Sequence, residues 1–374
     1  MATLPTTTIM MTLDGQSSQC KLGPFSIDSI AEFADPSHLF FIVDENVAAV
    51  QTQLKVAWSA AQKDGRVLFL PGGEPVKSIA RLEQIYGWLA DKRVNRDQAI
   101  VGVGGGTVLD LVGMAAATWK RGVPFIAVPT TLLAMVDAAI GGKTAINTAG
   151  LKNPVGVFHP ATAILTDNAF LSTLSRDAWR DGLAEMIKTA LIGDPQLFQE
   201  LSDKREDLHG ALGPGSESEV TDTITAVAPW AAWIARAAAV KADVVNRDFR
   251  ETGPRRALNL GHTLGHVIEA SSHQTQNPLS HGAAVAVGMA FVFQLAAGRG
   301  DCPTTTCDQV LDLLAACGLP ITYPCPNDDE LNRLLQSDKK ASSQVGVRWV
   351  LPEAVGQMNL NGSVSLAEIK KWLT

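Results

Sequence analysis

The first half of the chain alternates short apolar runs typical of β-strands with longer runs of helical periodicity. Each strand-like run ends in a polar or glycine-rich turn, as in the segments HLFFIVDENV, RVLFLPGGEPVKSI, QAIVGVGGGTVLDLVGMAAATWKRG and PFIAVPTTLLA. Strands that are separated by helices pair in parallel and are covered by those helices. We therefore predict an α/β domain with a parallel sheet over residues 1–170.

The character of the sequence changes near residue 170. Long apolar helical runs follow, with only one short β-like piece, VGVRWVLPEAVG, before the last helix. At 374 residues the chain also exceeds what one hydrophobic core usually supports. These features predict a second, α-helical domain over residues 171–374.

The composition argues against several classes of partner. A net charge of −7 does not suit a protein that coats nucleic acid, and the apolar runs are interrupted too often to span a membrane. The N-terminal segment lacks the basic and apolar regions of a signal peptide. Five cysteines, an odd number without dense spacing, do not resemble a disulfide framework, so we expect a cytoplasmic protein.

Polar or glycine residues follow four of the predicted strands. They are Asp44 with Asn46, the segment GGEPVK at 72–77, the segment GVGGG at 102–106, and Thr130 with Thr131. Ligands of open parallel sheets bind where the carboxyl ends of strands meet, and a glycine turn lets a phosphate approach the free N–H groups of a helix. We therefore predict a dinucleotide site. An acidic acceptor for the ribose hydroxyls, Asp44 or Glu74, favours NAD over NADP.

The glycine segment leaves one alternative open. GVGGG does not complete the pattern GxGxxG, because Thr107 stands where the last glycine belongs. A tight turn between a strand and a helix, without any ligand, also explains these glycines.

The segment LNLGHTLGHVIEA places His262 and His266 four residues apart, on one face of a helix. Such a pair either binds a metal or packs against other helices, and the spacing alone leaves both open. His281, before another apolar helix, and Glu185, inside an apolar helix where an unpaired carboxylate is costly, are further candidates. Two histidines and one glutamate leave a coordination position open, as catalytic zinc sites do. The protease signature HExxH is absent from the sequence.

Basic residues recur among these candidates, which suggests an acidic, phosphorylated and hydroxylated substrate. They include Arg121, Lys143, Lys152, Lys188, Lys241, Arg255 and the pair Lys339/Lys340. A solvated surface position is the alternative for each of them. That alternative is weakest for Lys143, which stands among glycines and apolar residues in GGKTAIN.

Taken together, the motifs resemble those of 3-dehydroquinate synthase, a member of the sugar phosphate cyclase superfamily. The matching segments span about residues 40 to 355 and follow in this order: GGEPVKS, GGGTVLD, KRGVPFIAVPTTLLAMVDAAIGGKTAIN, LKNPVG, GLAEMIK, ALNLGHTLGHVIEA, HGAAVAVGM and SDKK. The resemblance implies a Rossmann-like α/β N-terminal domain, an all-α C-terminal domain and an active site in the cleft between them. It also implies NAD, a divalent metal (zinc or cobalt) and a homodimer.

The resemblance assigns roles residue by residue. It implies that Glu185, His262 and His281 bind the metal, and that His266 contacts substrate or transfers a proton. The implied substrate-handling residues are Arg121 (from the partner subunit), Asp137, Lys143, Asn153, Lys188, Lys241, Arg255, Asn259 and Lys339 or its neighbour. The implied cofactor-binding residues are Asp44, Asn46, Gly72, Gly73, Glu74, Lys77, Gly105, Gly106, Thr107, Asp110, Thr130, Thr131, Leu133, Lys143, Lys152 and Thr173.

The implied reaction belongs to the shikimate pathway and converts 3-deoxy-D-arabino-heptulosonate 7-phosphate into 3-dehydroquinate and phosphate. NAD transiently oxidises the C5 hydroxyl, phosphate leaves by elimination, and the ketone is reduced again. Ring opening and an intramolecular aldol step then close the carbocycle, so that no net oxidation occurs. An enzyme of this kind is a carbon–oxygen lyase.

Three departures from the usual pattern keep other activities open. The segment SSHQTQNP makes the spacing from His262 to His281 slightly longer than usual. Ala283 stands where the synthase usually has Glu, and Leu109 stands where Gly is common. Leu also occurs there in cyclases that act on sedoheptulose 7-phosphate, such as 2-epi-5-epi-valiolone synthase, the first alternative. GGKTAIN and Asn259 are synthase-like and suit a substrate carboxylate. A metal-dependent alcohol dehydrogenase and an inactive scaffold are the remaining alternatives.

Overall fold

The computed structural model describes residues 6–50, 52–214, 224–225, 227–273, 275–324, 331 and 347–373. Within these ranges the strands are β1 (Thr7–Leu13), β2 (Gln16–Leu22), β3 (Leu39–Asp44), β4 (Val67–Leu70), β5 (Ala99–Gly104), β6 (Phe125–Pro129), β7 (Lys143–Thr148), β8 (Leu151–Phe158), β9 (Ala163–Thr166), β10 (Trp349–Ala354) and β11 (Gln357–Gly362). The prediction for Lys339 and Lys340 lies outside the described residues.

The helices follow the pattern expected from the sequence. They are α1 (Ile27–Ala31), α2 (Glu45–Val50), α3 (Thr52–Lys63), α4 (Ile79–Asp91), α5 (Gly106–Thr118), α6 (Arg176–Gly193), α7 (Pro195–Asp203), α8 (Arg205–Leu212), α9 (Trp230–Arg247), α10 (His262–Ser272), α11 (His281–Arg299), α12 (Thr304–Ala316) and α13 (Leu366–Leu373). A π-helix at Ala134–Ala138 follows β6, and a 3-10 helix at Pro254–Asn259 precedes α10.

The first compact unit comprises Met1–Leu174 and Trp230–Arg250. Its seven-stranded sheet, counted over the described part of the chain, has the order β1-β2-β9-β6-β5-β3-β4. All neighbours pair in parallel except β1 and β2. Strands β3, β5 and β6 are buried along their whole length, as expected of a parallel sheet with helices on both faces. The predicted α/β domain is therefore present.

The second compact unit comprises Ser175–Pro229 and Glu251–Thr374. Its described part is helical apart from the hairpin β10–β11, so the implied all-α domain carries one small β element. Helix α11 has the length and hydropathy of a membrane span, but most of its residues are buried inside this unit. It is a core helix, as its interrupted apolar pattern predicts.

The grouping into units differs from the predicted division at one helix. The sequence assigns everything from residue 171 onwards to the second domain, whereas α9 groups with the first unit. The reason is its packing, because α9 lies against β1 and the π-helix Ala134–Ala138. A hydrogen bond adds to this packing, because Thr12 N on β1 donates to Asn246 Oδ1 on α9 at 2.8 Å.

Glycines set how closely α10 and α11 approach each other. Gly261, just before α10, has φ +75°, a left-handed conformation that few other residues adopt. A Cβ at Gly261 would also lie 2.8 Å from the Val285 carbonyl oxygen, and one at Gly288 would collide with the Gly261 carbonyl. These glycines let the helices pack backbone to backbone, with His262 and His281 as their first residues.

Candidate functional site

Three ligand-type side chains come together in the second unit. Glu185 lies on α6, His262 begins α10 and His281 begins α11, and one ligand atom from each lies within 4.8 Å of the others. Glu185 Oε1 is 3.6 Å from His262 Nε2 and 3.5 Å from His281 Nε2. Ligand atoms about 2.0–2.2 Å from a tetrahedral zinc ion are separated by similar distances. The predicted metal-binding residues therefore have the geometry of a metal site.

The environment of Glu185 fits a divalent cation. The side chain is fully buried, and its Oε1, the oxygen nearest the two histidines, has no hydrogen-bond partner within the described part of the chain. Its charged contact is the ion pair with Lys188, which is itself buried. A buried carboxylate oxygen without a hydrogen bond is costly, and a coordinated metal would compensate for that cost.

The second nitrogen of each histidine ring faces away from the ligand cluster. His262 Nδ1 lies 3.2 Å from the Leu260 carbonyl oxygen, and His281 Nδ1 lies 3.4 Å from Glu269 Oε2. An acceptor at Nδ1 fixes the tautomer in which Nε2 carries the free lone pair that a metal needs. Both rings are therefore arranged to coordinate through Nε2.

His281 has a pKa well above that of an ordinary histidine. Burial by itself lowers the pKa, but the neighbouring carboxylates of Glu185 and Glu269 outweigh it and raise the pKa to about 9. A metal ion that binds Nε2 would have to displace a proton from this ring.

His266 lies beside the ligand cluster but outside it. Its ring centroid is 5.3 Å from that of His262 and 6.2 Å from that of His281. Of the two histidines in the HTLGH segment, His262 thus belongs to the ligand cluster and His266 lies next to it. A role for His266 toward substrate stays a prediction.

The carboxyl ends of β6, β5, β3 and β4 are neighbours in the first unit. At the end of β3, Asp44 Oδ1 accepts from Asn46 N at 2.9 Å. A Cβ at Gly72, just after β4, would lie 2.6 Å from Asp44 Oδ2 and 2.6 Å from Asn46 Nδ2, so a side chain here would displace one or both of these groups. Burial raises the pKa of Asp44, and the N–H groups of Asn46 and Val47 partly offset the rise. These three predicted residues form one cluster.

The glycine segment ends β5 and opens α5. Gly105 caps the helix without a side-chain hydrogen bond, so the first N–H groups of α5 have no side-chain cap. A Cβ at Gly105 would lie 3.1 Å from Thr131 Cγ2, and one at Gly106 would lie 2.9 Å from Ala138 Cβ. The buried Thr130 hydroxyl has no hydrogen-bond partner among the described residues. This arrangement offers hydrogen-bonding groups to a phosphate, with Thr107 and Leu133 close by along the chain.

A polar network joins four more of the predicted residues. Lys77 Nζ is 2.6 Å from Asp110 Oδ2 and 2.6 Å from Asn153 Oδ1. Asn147 connects this group to Glu74, because it accepts from Asn153 N at 2.8 Å and donates to Glu74 Oε1 at 2.7 Å. Burial raises the pKa of Asp110, which the charge and hydrogen bond of Lys77 oppose.

Asp137 and Lys241 form a further ion pair in the first unit. Asp137 belongs to the π-helix and Lys241 to α9, which explains why α9 groups with the sheet domain. Both residues were expected to orient substrate hydroxyls, and the structure brings them together.

Other predicted residues of the first unit lie at exposed positions. Lys143 and Lys152 are exposed on the β7–β8 hairpin, and Gly73 has φ +87°. Arg121 is exposed, with φ +68° at the end of a 3-10 turn. Thr173 Oγ1 donates to the Phe170 carbonyl at 3.5 Å.

Two substrate-handling candidates precede α10 in the 3-10 helix Pro254–Asn259. Arg255 is almost completely buried. Asn259 Nδ2 donates to Glu251 Oε1 at 2.7 Å.

Sequence reasoning missed two acidic residues near the ligand cluster. Glu269 contacts His281 Nδ1, and Asp181 accepts hydrogen bonds from Ser280 and Gly282, the neighbours of His281. Their spacing could have indicated them, because Glu269 follows His262 by seven residues and Asp181 precedes Glu185 by four.

Two family profiles match consecutive parts of the chain. The profile described as 3-dehydroquinate synthase N-terminal matches residues 67–181, and that described as 3-dehydroquinate synthase C-terminal matches residues 182–341. The chain belongs to the 3-dehydroquinate synthase family. This result confirms the resemblance that the sequence motifs carry, and the fold class with it.

Individual relatives agree with this family. The chain is similar to the 3-dehydroquinate synthase of Microcystis aeruginosa (strain NIES-843 / IAM M-2473), with 37% identity over 323 residues, 86% of this chain and 84% of that one. It is also similar to the solved 2-epi-5-epi-valiolone synthase ValA from Streptomyces hygroscopicus subsp. jinggangensis 5008, with NAD+ and Zn2+ bound. That likeness has a TM-score of 0.79 and 26% identity, and covers 95% of each chain.

A 2-deoxy-scyllo-inosose synthase complexed with carbaglucose-6-phosphate, NAD+ and Co2+ shares the fold. The TM-score is 0.77 at 24% identity, and the likeness covers 98% of this chain and 99% of that chain.

Proposed function

We propose that the protein is a 3-dehydroquinate synthase that converts 3-deoxy-D-arabino-heptulosonate 7-phosphate into 3-dehydroquinate and phosphate. The observation that carries this proposal is the cluster of Glu185, His262 and His281, in which the Glu185 side chain is fully buried, in a member of this family. The reaction eliminates phosphate and is redox-neutral overall, so the enzyme is a lyase.

The cofactors of the proposed reaction are NAD and a divalent metal, zinc or cobalt. When bound, NAD accepts a hydride and later returns it, and the metal polarises the oxygen of the carbon that is oxidised. Glu185, His262 and His281 would hold the metal. Asp44 would accept hydrogen bonds from the ribose hydroxyls, and the N-terminus of α5 would donate to the pyrophosphate.

The remaining candidates would bind and orient the substrate. Lys143, Asn153, Arg255 and Asn259 are assigned to the carboxylate and phosphate, since they supply positive charge and amide donors. Asp137, Lys188 and Lys241 would hold the hydroxyl groups. His266 would move a proton through its ring nitrogen, because it lies beside the ligand cluster without belonging to it.

A cyclase that uses sedoheptulose 7-phosphate is the second candidate. Leu109 and Ala283 are the departures that favour it, and one solved relative is a 2-epi-5-epi-valiolone synthase. Sedoheptulose 7-phosphate lacks a carboxylate, so with this substrate some of the residues assigned to the carboxylate and phosphate would not have their proposed role.

One experiment separates these activities. The purified protein is incubated with NAD and zinc or cobalt, and each heptulose phosphate is offered in parallel while released phosphate and NADH absorbance are followed. Phosphate from the heptulosonate alone, without lasting NADH, supports the synthase. Phosphate from sedoheptulose 7-phosphate instead would contradict it, and lasting NADH would indicate a dehydrogenase. A Glu185→Gln variant serves as the inactive control.

We further propose a cytoplasmic homodimer in which Arg121 reaches the partner's site. The exposed position of Arg121, the exposed apolar residues Leu151, Val155 and Val157 on β8, and the buried free thiols of the described cysteines support this. Light scattering would measure the mass in solution. If Arg121 serves the partner, mixed dimers of Arg121→Ala and His262→Ala chains regain activity that neither variant has alone. Mixed dimers without activity would contradict that role.

A further inference from the structure

Two carboxylates surround His281 from two different helices. Glu269, on α10, places Oε2 3.4 Å from His281 Nδ1. Asp181, on α6, accepts at Oδ1 from the Ser280 hydroxyl at 2.5 Å and from Gly282 N at 3.0 Å. One carboxylate therefore contacts the ring of His281, and the other holds the residues on either side of it.

The same two helices carry the other two candidate ligands. On α6, Asp181 precedes Glu185 by four residues, about one turn, so both face the same side. On α10, Glu269 follows His262 by seven residues, about two turns. Helices α6 and α10 thus each carry one candidate ligand and one further carboxylate that contacts His281 or its neighbours.

We propose that Asp181 and Glu269 are positioning residues that hold His281 as a metal ligand. This inference rests on the metal centre of the proposed function. It adds two residues that act through His281 without touching the metal.

Glu269 fixes the ring of His281. A carboxylate that accepts from Nδ1–H selects the tautomer with a free lone pair on Nε2 and restrains rotation of the ring. His281 Nε2 then stays directed at Glu185, 3.5 Å away. Without Glu269, the ring could exchange tautomers and turn away from the cluster.

Asp181 fixes the backbone of His281. Ser280 caps α11 by accepting from Ala283 N, and its hydroxyl donates to Asp181, so both of its hydrogen-bonding capacities are used. The N-terminus of a 19-residue helix also favours a negative charge at this position. A side chain at Gly282 would collide with the Asp181 backbone, so α6 and the start of α11 are in direct contact. Asp181 thereby fixes where α11 begins relative to Glu185.

The test measures cobalt binding by the metal-free protein. Wild type, Glu269→Gln and Asp181→Asn are titrated with Co2+, and affinity is obtained by competition with a chelator while the visible ligand-field spectrum reports coordination. Loss of an outer-sphere partner typically lowers metal affinity about 10–100-fold, and we expect a loss in that range with an altered spectrum. NAD affinity should stay unchanged, because its predicted site lies in the first unit.

The control is Asp177→Asn, which removes an exposed carboxylate one turn before Asp181 on the same helix. If Asp181→Asn does not fold, Ser280→Ala removes the same hydrogen bond without changing a charge, and Glu269→Asp tests whether a shorter carboxylate restores binding. Unchanged cobalt affinity and spectrum in the folded variants would overturn the inference, as would a wild type that binds no cobalt.

The outcome is separable from the proposed function. A wild type that binds cobalt but releases no phosphate refutes the synthase activity, while the variants still decide the role of the two carboxylates. An active wild type with unaffected variants refutes only this inference.

Discussion

Glu185 and Lys188 lie one turn apart on α6, and their charged groups are in contact although the side chains are only 0% and 1% exposed. A buried ion pair is not in itself evidence of stability, since desolvation of both charges offsets their attraction. The ion pair has a functional explanation if Glu185 is also a metal ligand. Lys188 then pairs with one carboxylate oxygen and orients the group, while the other oxygen faces the histidines.

Replacing Lys188 with Met should destabilise the metal-free protein. Removing one partner of a buried pair leaves the other charge uncompensated, which costs about 3–5 kcal/mol. Zinc should recover part of this loss, because the cation compensates the Glu185 carboxylate. Urea unfolding with and without zinc measures both free energies. An equal loss in the two conditions would show that no cation reaches Glu185.

Replacing Glu185 with Gln should abolish tight metal binding. The amide keeps the size of the side chain but removes the charged ligand of the cluster. After dialysis, metal analysis should find about one ion per wild-type chain and almost none in the variant. Glu206→Gln, at an exposed position of the same unit, is the matched control and should retain its metal. Retention by Glu185→Gln would refute the assigned ligand set.

NAD binding should weaken on mild acidification. Asp44 must be ionised to accept from the ribose hydroxyls, and burial raises its pKa above the usual aspartate value. Protonation therefore begins at a higher pH than for an exposed aspartate, and affinity falls as pH decreases through the raised pKa. Titrations of NAD across the acidic range should show this decline for wild type. Asp44→Asn should bind weakly at every pH, and Asp64→Asn, an exposed control, should follow wild type.

The sequence predicts the strand-end residues well because the rule behind them is local. A buried run that ends in Asp44 or Gly104 places that residue at the carboxyl edge whatever the distant chain does. The metal ligands depend on three helices that are distant in sequence, and the family motifs indicated them where spacing alone did not. The seven-residue spacing places Glu269 on the same face of α10 as His262, but its contact with His281, on another helix, depends on packing.

The grouping of α9 with the sheet domain was beyond sequence reasoning for a related reason. Its apolar periodicity does not identify its packing partner, and its grouping follows from packing against β1 and from the ion pair between Lys241 and Asp137. Asp137 lies in a π-helix, an irregularity that helical periodicity does not reveal.

The cysteines should be unreactive in the folded protein. Burial raises the pKa of Cys20 and of Cys317 to about 12, and that of Cys307 to about 11, so little reactive thiolate forms near neutral pH. Cys302 is also buried with a raised pKa. Ellman's reagent at pH 8 should therefore modify these four thiols slowly, while the unfolded chain should react at all five cysteines. Rapid modification of more than one thiol in the native protein would contradict this burial.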